Sequence, residues 1–271
     1  MKTKIQYTIL LAATALLAGC QNEMDPFNAQ SNKGSFALNI QGPDIEVQAE
    51  TRAALTPDEA ANYNIMVYQN SDELWELKKK YSTLTGSDYM LSVGTGYAVY
   101  AESCSEEDAE TVNDGFGCKR FAGRSDAFAI EASKETPVSV NCTPTNGGLC
   151  VVFDKSFTDT FGGRYYVETT GDRHLVFDAS NQATFDADKV RTGGAVAYFS
   201  MLPAEELDVD LEIHARGAQV TNKTVTVKLG KITRFTVYGP NAGTGDNTGG
   251  IDIEIIYDDD YDTDDHPILV D

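Results

Sequence analysis

The chain has 271 residues, 42 of them acidic and 21 basic, for a formal charge of -21, with 41% hydrophobic and 10% aromatic side chains. That apolar content excludes a wholly disordered chain and is enough for one or two packed cores. The acidic excess repels phosphate backbones and anionic headgroups alike, which argues against nucleic acid as a partner.

Lys2 and Lys4 precede an apolar run over residues 9–18 that is too short to span a bilayer, and together they predict a signal peptide over residues 1–19. The run ends in Leu17-Ala18-Gly19-Cys20, which resembles the bacterial lipobox. That resemblance implies lipid on Cys20. At about 0.8 kcal/mol per buried CH₂, one acyl chain anchors marginally and two or three anchor durably. Glu23 and Asp25 follow at once, and acids in this place resemble the signal that exports Bacteroidetes lipoproteins to the outer face of the outer membrane. A periplasm-facing lipoprotein is the alternative. No later stretch approaches the roughly 20 apolar residues of a spanning helix.

Residues 20–34, rich in Asn, Gln and Ser, read as a tether. Beyond them the apolar residues alternate with period two: Phe36, Leu38 and Ile40, then Ile45 and Val47, then residues 63–67, 90–92 and 97–100. The series continues at 128–130, 138–140, 151–153, 165–167, 176, 198–201, 209–213, 225–227 and 235–237. Short alternating runs broken by Gly-rich turns predict an all-β chain of antiparallel sandwich strands, with brief helices only at 56–61 and 156–161. Thr143-Pro144-Thr145-Asn146-Gly147-Gly148 reads as a turn-rich junction. The expected organisation is therefore two tandem Ig-like β-sandwiches, over 35–143 and 144–240, and then a tail, 241–271. A single large sheet protein is the alternative.

Trp75 to Ser82, Gly94 to Ala101 and Pro137 to Cys142 together resemble a family of Bacteroidetes surface lipoproteins, the domain-of-unknown-function 4493 type, similar in plan to fimbrillins. The resemblance covers about residues 34–257. It implies tandem transthyretin-like sandwiches and supplies no catalytic residue.

Little in the sequence points to catalysis. His174, His214 and His266 are far apart and form no metal-spaced pair, and no nucleophile elbow, phosphate loop or dinucleotide fingerprint occurs. The chain is read as non-enzymatic, with no cofactor. Cys104, Cys118, Cys142 and Cys150 remain beside Cys20, and four cysteines allow three connectivities. Cys104 with Cys118 and Cys142 with Cys150 is the favoured pairing, since the first clips an acid-rich loop that has little else to hold it and the second staples the junction. Asp258, Asp260, Asp262 and Asp264 offer hard oxygens suited to Ca²⁺, yet the 12-residue loop pattern lacks its glycine and glutamate, and the segment is read as a solvated tail. Trp75, Tyr97, Tyr100, Tyr165 and Tyr166 could stack on sugar rings, but their place in apolar strands assigns them to the core first.

Residues 241–250 form a Gly-rich linker, after which Ile251, Ile253, Ile255 and Tyr257 mark a half-buried strand. Its apolar face needs a sheet edge, on its own molecule or on a neighbour. Two readings follow. One is a displayed outer-membrane lipoprotein that binds glycan or protein ligands as an adhesion module; the other is a fimbrillin-like structural or anchor subunit that joins like subunits by strand addition. In fimbrillins a trypsin-like cut removes the lipidated first strand and opens a groove, and Thr51-Arg52-Ala53 resembles that processing site. An exposed loop arginine is the plainer account of Arg52.

Overall fold

The computed structural model describes residues 32–42, 60–74, 79–187, 190–239 and 251–258. In chain order they form β1 (Lys33–Gln41), β2 (Asn64–Gln69), β3 (Asp72–Glu73), β4 (Lys79–Lys80), β5 (Met90–Ser92), β6 (Gly94–Glu102), α1 (Asp108–Thr111), β7 (Phe121–Arg124), β8 (Phe128–Ile130), β9 (Glu135–Asn141), β10 (Thr143–Pro144) and β11 (Asn146–Phe153). Then come α2 (Lys155–Phe161), β12 (Tyr165–Thr169), β13 (Val176–Phe177), β14 (Thr184–Phe185), β15 (Arg191–Gly193), β16 (Ala197–Ser200), β17 (Glu206–Ala215), β18 (Thr221–Lys228), β19 (Ile232–Tyr238) and β20 (Asp252–Asp258).

The protein is an all-β assembly of layered sheets. A three-stranded sheet in the order β5-β1-β9 faces the larger sheet built on β10-β7-β6-β2-β3. Phe36, Ile40, Leu91, Val138 and Val140 from the first pack against Ile65, Val67, Tyr97, Val99 and Ile130 from the second. This is what the alternation in β1 is for. Phe36 and Ile40 go inward while Ala37 and Asn39 face solvent.

The later strands repeat the plan. The sheet β16-β11-β19-β20 faces the sheet β13-β12-β17-β18. Leu149, Val151, Phe153, Phe199, Phe235 and Val237 meet Tyr165, Val167, Phe177, Leu211, Ile213 and Val225 between them. A smaller cluster of Cys150, Ala183, Val196, Tyr198 and Ile232 lies apart from this core and takes Phe121 of β7 against it.

Two pairings are parallel, where the strand pattern alone predicts antiparallel neighbours: β1 with β9 (Phe36↔Thr136 to Ile40↔Val140) and β11 with β19 (Gly148↔Ile232 to Phe153↔Val237). A parallel neighbour requires a long crossover, and here the other strands of each layered unit provide it. β11 accordingly reads as an apolar run, buried from Asn146 to Phe153 except for a partly exposed Val152.

The segment 143–148 is a second departure. It is strand, not turn: β10 pairs with β7, and Asn146 opens β11. The glycines serve close approach, since a Cβ on Gly147 would lie 2.4 Å from the Lys228 carbonyl oxygen and one on Gly148 would lie 2.8 Å from Val196 Cγ1. Asn146 is buried because its side chain accepts from the Arg120 N–H at 3.0 Å and donates to the Cys118 carbonyl at 2.8 Å.

Candidate functional site

The C-terminal strand, whose apolar face needs a sheet edge, finds one on its own molecule. β20 lies antiparallel on β19 of the same chain, Val237 opposite Ile253 and Phe235 opposite Ile255. Ile251 and Ile253 pack against the core between the sheets. Ile255 stays 39% exposed. The Tyr238 hydroxyl donates to Glu254 Oε2 at 2.6 Å, and this contact with a carboxylate pushes its pKa up to about 12. The strand therefore has a seat on its own molecule. β20 is also the last strand of its sheet, so its other edge carries no strand among the described residues.

Of the other residues singled out above, Cys20, Arg52, Trp75, Asp260, Asp262 and Asp264 lie outside the described residues, and Asp258 ends β20. Tyr97 and Tyr165 are buried, the first donating to the Ser92 carbonyl at 2.8 Å and the second packed 4.6 Å from Phe153, as core residues should be.

The structure brings Cys104 and Cys118 together, with their sulfurs 3.0 Å apart. Their contact drives the two thiols in opposite directions, Cys104 up and Cys118 down. It does not bring Cys142 and Cys150 together. β10 and β11 carry the chain between them in extended conformation, at about 3.3 Å per residue, beyond the roughly 7 Å that a bridge can span. Cys142 sits in one core and Cys150 in another cluster, and burial pushes the Cys142 thiol up to about 12.

The acid-rich loop between Cys104 and Cys118 is firmly held, contrary to its polar composition. Ala109 of α1 is fully buried, Glu110 Oε1 accepts the Ser200 N–H at 2.8 Å, and the Phe116 ring meets Phe177 edge-on at 5.2 Å. Arg173 donates to the carbonyls of Glu110, Gly115 and Tyr198. Beside the loop Arg120 is buried, paired with Glu102 at 2.9 Å and bonded to the Tyr100 hydroxyl at 2.9 Å and the Cys104 carbonyl at 3.2 Å. Arg120 also donates to the Thr145 hydroxyl at 3.2 Å, and this bond, with the loop's contacts to Ser200, Phe177 and Arg173, forms a latch that joins the strands before residue 142 to those after it.

Sequence reasoning missed one further grouping. Strand pairing between β12 and β17 places His214 and Glu212 beside Glu168, and the following loop adds His174. The local signal was Glu212-x-His214, two ligand types on one face of a strand, but its partners are about forty residues away in sequence.

No curated protein matches the chain. Among solved structures, the chain is similar to the fimbrial anchor protein Mfa2 from Porphyromonas gingivalis, with a TM-score of 0.47 and 10% identity over 82% of this chain and 97% of that one. It is similar to a candidate polysaccharide-binding protein from Bacteroides thetaiotaomicron, with a TM-score of 0.47 and 10% identity over 76% and 92%. A candidate adhesin from the same organism gives a TM-score of 0.45 and 11% identity over 83% and 96%. The model of one family, "Domain of unknown function (DUF4493)", matches residues 32–271, and the chain belongs to that family.

Proposed function

We propose that the chain is a non-enzymatic outer-membrane lipoprotein, held by lipid on Cys20, that displays tandem sandwiches over residues 35–143 and 144–240 as a cell-adhesion or ligand-binding module. The observation that carries this reading is the seat of β20 on β19, which completes the last sheet within one molecule and removes the need for a neighbour's strand. The separate cores, one drawn from residues 36–142 and the other from residues 149–237, support the division into two units. Glycans or surface proteins are the proposed ligands.

The test is made on whole cells. Cells carrying the native chain should lose it to added protease and should bind an array of glycans and matrix proteins. Cells carrying Cys20→Ala should release the protein from the membrane fraction and lose that binding. Retention of Cys20→Ala after a carbonate wash would sink the anchor, and equal binding by cells without the gene would sink the adhesion role.

The structural-subunit reading is favoured by a different observation. β1 lies between β5 and β9 with Phe36 and Ile40 buried, so removing it after a cut at Arg52 would open a groove lined by two strand edges. N-terminal sequencing of protein from native cells separates the two. A start at Ala53 with ladders of oligomers belongs to the subunit, and an intact monomer to the display module.

A further inference from the structure

The outer face of the β12–β17 pair carries a cluster that neither adhesion nor strand addition uses. In this register Tyr166 is opposite His214 and Glu168 is opposite Glu212, while Val167 and Ile213 point the other way into the core. Two carboxylates directly opposite each other on a sheet repel, and such a pairing is normally destabilising unless something positive sits between them. Here two imidazoles converge on them. His214 Nε2 lies 2.8 Å from Glu168 Oε1 and 3.3 Å from Glu212 Oε2, and His174 Nε2 lies 2.7 Å from Glu168 Oε2.

The state of His214 narrows the choice. Its Nε2 is buried and makes no hydrogen bond of sound geometry, although Glu168 Oε1 lies only 2.8 Å away. The ring is nonetheless fixed, stacked on Tyr166 at 4.4 Å and only 10° from parallel. A buried ring nitrogen 2.8 Å and 3.3 Å from two carboxylate oxygens without a hydrogen bond to either is a repulsive grouping that a bound metal ion relieves, with the imidazole neutral and the acids ionised. One ligand atom each from Glu168, Glu212 and His214 lies within 4.8 Å of the others. Ligands on a tetrahedral ion at about 2.0–2.1 Å stand roughly 3.4 Å apart, so small side-chain adjustments would complete the site.

We propose that Glu168, Glu212 and His214, joined by His174 from the loop, bind a divalent transition-metal ion, with Zn²⁺ as the best fit. Two imidazoles and two carboxylates suit Zn²⁺, whereas Ca²⁺ and Mg²⁺ prefer all-oxygen shells. His174 is 65% exposed at its side chain, so the ion lies at the surface and its fourth protein ligand exchanges with solvent or with an oxygen donor of a bound molecule. The site also ties the loop after β12 back onto its own sheet. This inference stands whether the chain is a display module or a subunit.

The experiment uses the full-length protein in detergent, stripped with EDTA and dialysed, titrated with ZnCl₂ by calorimetry and with CoCl₂ by visible absorption. We expect one site with a micromolar or tighter Kd, and intense d–d bands from Co²⁺ in a four-coordinate N/O environment. His214→Gln should weaken Zn²⁺ at least tenfold. His174→Gln, on an exposed loop where folding is not at stake, should weaken it several-fold, and circular dichroism confirms that each variant is folded. Equal affinity in the native chain and both variants would assign the metal to the acidic C-terminus and overturn the proposal, as would the absence of saturable binding. Displacement of Co²⁺ by an equal concentration of Ca²⁺ would overturn the choice of ion.

Discussion

The sheets β5-β1-β9 and β16-β11-β19 repeat one arrangement, a middle strand with an antiparallel neighbour on one side and a parallel neighbour on the other. They differ at the outer edge of the parallel strand. β9 has no further neighbour among the described residues, and it carries Pro137 with Glu135 and Ser139 exposed, the composition of an edge that must not recruit another strand. β19 is followed outward by β20, and its residues from Ile232 to Val237 are all buried, Thr233 and Thr236 included. The open edge is written polar and proline-bearing. The covered edge has no proline, and its polar residues Thr233, Arg234 and Thr236 are buried, so that sheet depends on β20, a strand from farther along the chain, to cover it.

Breaking the buried ion pair that positions Arg120 beside Thr145, at the junction of the two arrangements, should have the largest effect. Glu102→Leu leaves the Arg120 guanidinium buried without its carboxylate, and such a loss costs about 3–5 kcal/mol, read by urea denaturation. Replacing both, as Glu102→Leu with Arg120→Met, should recover part of that loss, because the uncompensated charge is gone. If the double variant is as unstable as the single one, the hydrogen bonds to the Cys104 carbonyl and Thr145 hold the latch rather than the ion pair.

The neighbouring loop should be covalently closed in an oxidising compartment. Non-reducing peptide mapping should find Cys104 linked to Cys118, with Cys142 and Cys150 not linked to each other, and reduction should cost about 3 kcal/mol for a loop of this length. Recovery of a Cys142–Cys150 peptide would mean that β10 and β11 do not run on as one extended stretch. A smaller loss is expected at the covered edge. Deleting residues 251–271 re-exposes the faces that Ile251 and Ile253 cover, at about 2 kcal/mol together for half-buried side chains, and leaves β19 open to other chains. Size exclusion should then show oligomers. A truncated chain that stays monomeric would show that the edge of β19 tolerates exposure as well as that of β9.

Much of this was legible along the sequence because period two is a local property. The stretches at 128–130 and 235–237 fall inside β8 and β19, and the helix expected at 156–161 is α2. What was not legible depends on partners remote in the chain. Gly147 and Gly148 look like turn residues until the Lys228 carbonyl and Val196 are placed against them. The loop 105–117 looks loose because its anchors, Arg173, Phe177 and Ser200, lie 58 to 90 residues on from the groups they hold. A short loop suggests both Cys104 with Cys118 and Cys142 with Cys150, yet only the first two thiols meet, because strand conformation separates the second pair, and Glu168 and His214 meet only through the register of β12 and β17.

The smallest effect probes how α2 supports the covered edge. Asp154 caps the helix, its Oδ1 accepting from the Ser156 N–H at 2.8 Å and hydroxyl at 2.6 Å, while the same hydroxyl accepts from the Gly239 N–H just after β19. The Ser156 hydroxyl and N–H hold the Asp154 carboxylate below its ordinary pKa. A carboxyl lowered on folding contributes stability that is present above its unfolded value of about 3.9 and is lost as pH falls through the folded value. Asp154→Ala should therefore cost about 1 kcal/mol at pH 7, the usual cost of losing such a cap. The difference between native and variant chains should shrink as the pH is taken below about 4. Thermal melts at pH 7 and pH 3 measure both. A gap that persists at pH 3 would assign the effect to lost packing around Phe157 rather than to the ionised cap. A normal gap at pH 7 with faster amide exchange in β20 would show that the cap also steadies the point where the chain leaves β19 for its last strand.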